Sequence, residues 1–204
     1  MKVKSLLITL TLAMLLSACS ELFLSTKLYS PQAISDLVDD LKILGENYLI
    51  EEVIVMGKDA FADDFGQVDV YMRDNEGQFY LQGLTYKMGI TDDGPIPRSR
   101  IVRGNLPHAI NIDDISNQKE NIEKYVEAAK VQFKDEFESK YKFKSIGKLQ
   151  FRADETGNLQ IQFSIFATEK GKTTHQQEGR RIVITYSEFV FNVDKDGTVV
   201  YKAE

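Results

Sequence analysis

Leu159-Gln160-Ile161-Gln162-Phe163-Ser164-Ile165-Phe166-Ala167-Thr168 decides the fold. Leu159, Ile161, Phe163, Ile165 and Ala167 fall on one side of an extended chain, with Gln160, Gln162 and Ser164 opposite. Such alternation marks a strand with one buried and one wetter face, as in antiparallel sheet. Three more strand-like runs surround it: Ile146 to Asp154, Arg180 to Val193, and Thr198 to Tyr201. Within the run from Arg180, the apolar phase slips from Ile182, Ile184 and Tyr186 to Phe189, Phe191 and Val193. A bulge near Ser187-Glu188 would keep both sets on the core. Ahead of these runs, Ile122, Tyr125, Val126, Ala129, Phe133, Phe137 and Tyr141 form a helical stripe opening near Ser116 or Asn117. Asn117 and Glu120 there have capping-box spacing. Glu120 with Lys124, Glu136 with Lys140, and Glu138 with Lys142 stand four apart, each pair stabilising a helix by about 0.2–0.5 kcal/mol.

The first half repeats the order. Ser30-Pro31 reads as a cap and first helical residue, and Ile34, Leu37, Val38, Leu41, Leu44 and Tyr48 follow at helical spacing, with Gly45 as the stop. Strand-like runs then cover Glu52 to Lys58, Gln67 to Arg73 and Gln78 to Met88, the last two joined by Asp74-Asn75-Glu76-Gly77. Between the halves, residues 89–115 hold Pro95, Pro97, Pro107, Gly94 and Gly104 and read as a linker or a long loop ordered against the fold. The expected fold is α+β: two helix-then-antiparallel-meander units, 31–88 and 116–204, with helices packed on sheet. They form one duplicated domain or two small ones. This order resembles the helix-on-sheet architecture of cystatin-like and NTF2-like folds, a likeness that carries no function.

At the N-terminus, Lys2 and Lys4 precede the apolar run Leu6 to Leu16, and small residues follow. That order is a secretory signal rather than a membrane span. Leu16-Ser17-Ala18-Cys19 resembles the lipobox of bacterial lipoproteins. The resemblance implies removal of residues 1–18, a diacylglycerol on the Cys19 sulfur, and an acylated N-terminus held in a membrane. Residues 19–30 then read as a tether or loosely docked arm. Ser20 in the next position implies an outer-membrane destination, facing the periplasm, in a Gram-negative cell. Removing the signal takes two lysines and no acid, so 23 bases face 31 acids and the formal charge moves from −6 to −8. An acidic chain argues against nucleic-acid binding and against flat adsorption to anionic lipid. Cys19 is the only cysteine, which precludes an internal disulfide.

Candidate chemistry is sparse. Asn192-x-Asp194-x-Asp196-Gly197 imitates the start of a calcium loop, but position twelve falls on Ala203. A hairpin turn explains it better. Gly171-Lys172-Thr173 lacks the first glycine of a phosphate loop, since Phe166 stands there. His108 and His175 are far apart in expected loops; Asp113, Asp114 and Ser99 lie near His108 without an ordered motif. Asp59, Asp63 and Asp64 read as a solvated turn before they read as a catalytic carboxylate pair. Arg98, Arg100 and Arg103 form a basic island suited to an anion or an acidic partner.

The sequence therefore points to a lipid-anchored cell-envelope protein of non-catalytic type that presents its α+β domain to another envelope component. No catalytic residue, metal ligand or cofactor site is assigned. The alternatives are a carrier or sensor holding a small apolar or anionic ligand between helix and sheet, and a hydrolase using the Asp59 to Asp64 loop or His108. A carrier needs an unfilled cavity lined by Phe133, Phe137, Phe163 and Phe166.

Overall fold

Helix α1 (Pro31–Gly45) starts where the Ser30 hydroxyl accepts the Ala33 N–H at 3.2 Å. The computed structural model describes residues 26–85, 89–90, 94–98, 108–173, 175–178 and 181–203. Ala33, Ile34, Leu37, Val38, Leu41 and Leu44 form the buried face of α1. Gly45 is its last residue rather than a left-handed stop. A Cβ there would stand 2.9 Å from Ile112 Cδ1, so the glycine lets the two helices meet. Helix α2 (Ile112–Phe137) begins before the expected Ser116 or Asn117. Its cap is Asn111, whose side chain accepts the Asp113 N–H at 3.2 Å, and Asp113 and Asp114 occupy the first turn, where negative charge suits the helix dipole. Asn117 and Glu120 therefore lie inside the helix. At the other end the helical stripe runs one residue too far: Tyr141 opens a strand, and Glu138 to Lys140 make the turn. Its ring still reaches the same core, 5.0 Å from Phe189, which is why helical spacing captured it.

The strands are β1 (Leu49–Gly57), β2 (Phe65–Arg73), β3 (Phe79–Thr85), β4 (Gly89–Ile90), β5 (Ile96–Arg98), β6 (Tyr141–Ala153), β7 (Leu159–Glu169), β8 (His175–Glu178), β9 (Arg181–Ile184), β10 (Ser187–Val193) and β11 (Val199–Lys202). One antiparallel sheet runs β11-β10-β7-β6-β1-β2-β3-β4, with β5 also on β3. The fold is α+β, with both helices on one face of this sheet. The two expected units meet where β1 pairs with β6, Val53 opposite Phe151 and Val55 opposite Leu149, and they share one hydrophobic core.

Of the two readings of residues 89–115, the described ones fit a loop ordered against the fold: β4 and β5 pair with β3, and Ile110 is buried. Of the two readings of residues 19–30, the described ones fit the docked arm: Leu28 and Tyr29 are buried, and Lys27 bridges to Asp64. Two expectations need correction. The run from Arg180 to Val193 is two strands. Thr185 and Tyr186 interrupt it, β9 pairs only with β8, and β10 pairs with β7 in unbroken register through Ser187 and Glu188. The phase slip thus reflects a chain break between two sheets, not a bulge. The expected loop around His175 likewise contributes β8 to that hairpin.

Three Asp-x-x-Gly turns close hairpins at one end of the sheet. In Asp74–Gly77, Asp154–Gly157 and Asp194–Gly197 alike, the Asp N–H donates to the carbonyl four residues on, and the Gly N–H donates to the Asp carbonyl. The bulges lie in β6, at Lys144 and Gly147, in β1 at Glu51 and in β2 at Gly66. Gly147 sits beneath the Phe166 ring, which stacks on Tyr186 at 4.4 Å.

A Cβ at position 147 would fall 2.1 Å from the Phe166 ring, whereas one at Gly83 meets nothing within 4 Å. Gly147→Ala should cost about 1–3 kcal/mol through overpacking, and Gly83→Ala little or nothing. Urea unfolding of the two variants checks this; equal effects would contradict the packing described.

Candidate functional site

The alternation that buries one face of the sheet under the helices leaves a second face that carries no helix among the described residues. Register aligns its side chains in rows. Asp69, Ile54, Gln150, Gln162 and Asn192 stand opposite one another across β2, β1, β6, β7 and β10. At about 4.8 Å per strand, that row spans roughly 19 Å. A neighbouring row holds Tyr71, Glu52, Arg152 and Gln160.

These side chains are tied to one another across the strands. Gln150 Nε2 donates to the Glu52 carboxylate. Arg152 Nε donates to Gln160 Oε1 at 2.5 Å, and Gln162 Nε2 to Asn192 Oδ1 at 2.8 Å. Ser164 Oγ donates to Glu188 Oε1 at 2.6 Å, and Lys148 Nζ lies 3.0 Å from the same oxygen. Glu52 is 4 % exposed, Gln150 6 % and Ser164 0 %. Gln150 is bonded to Glu52 and Ser164 to Glu188, as buried polar groups require. Desolvation pushes the Glu188 carboxyl up, but the Ser164 hydroxyl and the Lys148 ammonium outweigh it and hold the carboxyl below its ordinary range. Chemically, this face is an array of amides and paired charges, buried at its centre around Glu52, Gln150 and Ser164 and reaching solvent at Gln67, Asp69, Gln162 and Asn192.

Residues singled out in the sequence are scattered. Arg98 lies exposed on β5, its carbonyl accepting Gln78 Nε2 at 3.1 Å. Arg100, Arg103, Ser99 and Cys19 lie outside the described residues. His108 Nε2 is 3.1 Å from the Glu155 carbonyl, pinning the chain to the β6–β7 turn. Asp113 and Asp114 serve the start of α2, Asp113 lying 3.4 Å from Lys42. His175 opens β8. Asn192 to Gly197 run from a sheet-face side chain into the β10–β11 turn, and Gly171 to Thr173 follow the end of β7, where Lys172 pairs with Glu169 at 2.6 Å.

The Asp59 to Asp64 loop is a latch. Asp63 accepts the Ile146 N–H at 2.6 Å and the Tyr29 hydroxyl at 3.3 Å, and Lys27 stands 3.7 Å away. Lys130 Nζ donates to the same Tyr29 oxygen at 3.3 Å. Burial raises the Tyr29 pKa, favouring the neutral hydroxyl that donates to Asp63. Asp59 accepts the Phe61 N–H at 2.8 Å.

The four rings named for a ligand cavity do not line one. Phe133 and Phe137 pack on each other and on Phe189, with centroids 4.7–5.7 Å apart; Phe163 stacks on Phe191; Phe166 is on the opposite face of the sheet. Surface clefts lie elsewhere. One of about 410 Å³ sits where α1 ends and α2 begins, and one of about 270 Å³ lies between α2 and the β6–β7 and β10–β11 turns. Among the described residues no group of three or more His, Cys, Asp or Glu side chains is placed to hold a metal, and no helix is long and apolar enough to cross a membrane.

No family model matches the chain, and neither a curated protein nor a solved structure matches it.

The polar face was half legible in the sequence. Gln160, Gln162 and Ser164 mark the wet side of β7, but their partners Arg152, Asn192 and Glu188 emerge only from the register.

Glu188 has a depressed folded-state pKa, so its contribution to stability is present above its ordinary value of 4.5 and is lost as pH falls through the folded value. Because the side chain is 38 % exposed, solvent screens the pair, and Glu188→Gln should cost up to about 1 kcal/mol at pH 7. Urea unfolding at neutral and acid pH should show wild type and variant converging at low pH. A constant difference would contradict this role.

Proposed function

We propose that the protein is a lipid-anchored component of the cell envelope, of non-catalytic type, which presents the open face of its sheet to another envelope component. The row of side chains from Asp69 to Asn192 carries this reading. A face whose polar groups are already held in place loses little conformational freedom on docking. Anchoring rests on the lipobox resemblance at Cys19, and Ser20 favours the outer membrane, facing the periplasm, in a Gram-negative cell. The docked segment Lys27–Tyr29 supports it further, because it fixes which end of the domain the anchor leaves.

A photo-crosslinking residue placed in the acylated protein at Gln67 or Val190, both on the open face, should capture one dominant envelope protein in cells. The same residue at Val131, 61 % exposed on α2, should not. Cys19→Ser should abolish acylation and the crosslink together. Alanine at Arg98, Arg100 and Arg103 separates this face from the basic island as the interface. Capture from Val131 alone, or a protein recovered without a partner, would contradict the reading, the latter shifting it towards a small-ligand carrier.

A further inference from the structure

Outside the main sheet the chain forms one small hairpin, β8 with β9, in register from His175–Ile184 to Glu178–Arg181. Among the described residues neither strand pairs with anything else, and no further backbone hydrogen bond reaches residues 181–186. Val183, Ile184 and Tyr186 are exposed. Neighbouring residues of a strand point to opposite sides, so both faces of β9 meet solvent. The hairpin is held at its base, where the Tyr186 ring stacks on Phe166 at 4.4 Å and meets Phe61 edge-on at 6.2 Å.

A two-stranded hairpin by itself is marginally stable in water; a third strand or a packed layer is needed to hold it. The outer edge of β9 is of the kind that recruits one. Ile182, Val183, Ile184 and Thr185 are all β-branched, and from Ile182 to Tyr186 there is no charge and no proline to blunt the edge. The other strand differs: His175-Gln176-Gln177-Glu178 is polar throughout.

We propose that β9 is a dimerisation edge, pairing antiparallel with β9 of a second copy of this chain about a two-fold axis at Val183. The edge is complementary to itself. Two-fold pairing sets Val183 opposite Val183, Ile182 opposite Ile184 and Arg181 opposite Thr185. Apolar positions therefore meet apolar positions. The two Arg181 positions stand about 13 Å apart along the strands, beyond a Debye length of about 8 Å at physiological salt. The four-stranded order β8-β9-β9-β8 ends on a polar strand at each side, so the assembly closes at two copies. Acylation at Cys19 would favour a second copy further, because chains anchored in one membrane meet at a raised effective concentration. The pairing itself goes beyond the anchoring reading and does not require it.

The test uses the acylated full chain in phosphatidylcholine vesicles. Acylation consumes Cys19, so Val183→Cys supplies the only thiol. Opposed residues of an antiparallel pair have Cα atoms about 4.5–5.5 Å apart, within the span of a disulfide. Mild oxidation should convert most of Val183→Cys to a covalent dimer. Ile182→Cys and Ile184→Cys should give several-fold less, and Val131→Cys, exposed on α2, none. Hydrogen exchange on the chain without these cysteines should show β9 amides whose protection rises with protein concentration. Val183→Lys sets two ammonium groups face to face on the axis and should lose that protection, while β1, β6 and β7 stay protected and report that the variant is folded. Equal oxidation at Val131 and Val183, β9 amides open at every concentration, or protection that survives Val183→Lys would overturn the proposal. So would β9 protection that needs a different envelope protein. The same measurements on a Cys19→Ser background, which has neither the thiol nor the acyl chains, separate the two readings. Val183→Cys dimers there, with an intact mass showing native Cys19 unacylated, would overturn the anchoring and leave the pairing. An acylated chain without dimers in either background would overturn the pairing alone.

Discussion

The pairing of β1 with β6 is the constraint on which the rest depends. Each half supplies a helix and a meander, and neither meander alone is wide enough to cover its helix and close a core. Five register pairs from Glu52–Arg152 to Met56–Lys148 join them into one sheet. Val53, Val55, Leu149 and Phe151, all fully buried, meet beneath both helices at this seam. Beyond Met56–Lys148 the seam has no more strand to offer, and the Ile146 N–H is taken by the Asp63 carboxylate instead. Asp63 also holds Tyr29, so the end of the seam is where the N-terminal arm is fastened.

The seam also sets what the surfaces can do. A sheet with helices on one side has a second face, and its central strands bring polar side chains from both halves into common rows there. Gln150 and Glu52 come from different halves, and their bond crosses the seam. The antiparallel order sends all three Asp-x-x-Gly turns to one end and the lysines of β6 and the β7 turn to the other. Both ends pair acids with lysines, as Asp154 with Lys195 at one and Asp63 with Lys27 at the other show.

Much of the fold was legible. The Ser30-Pro31 cap, the β7 alternation and the Asp74–Gly77 turn are local devices whose chemistry does not depend on distant partners. The misreadings came where two signals overlap. Tyr141 extends the helical stripe because the chain turns back onto the same core. The phase slip before Phe189 looked like a bulge because sequence cannot tell an extra residue from a departure to another sheet. Asp63 read as part of a solvated turn because its partners, the Ile146 N–H and the Tyr29 hydroxyl, are 83 and 34 residues away. The same holds for the open face, whose bonded pairs such as Gln162 and Asn192 lie 30 residues apart.

Native-state hydrogen exchange tests the seam most directly. If β1 and β6 weld the halves into one cooperative unit, the slowest amides of β1, β2, β6 and β7 exchange with a common free energy and a common dependence on denaturant. A lower exchange free energy for residues 49–85 than for residues 141–193, each with its own denaturant slope, would show two units that merely touch and would contradict this account.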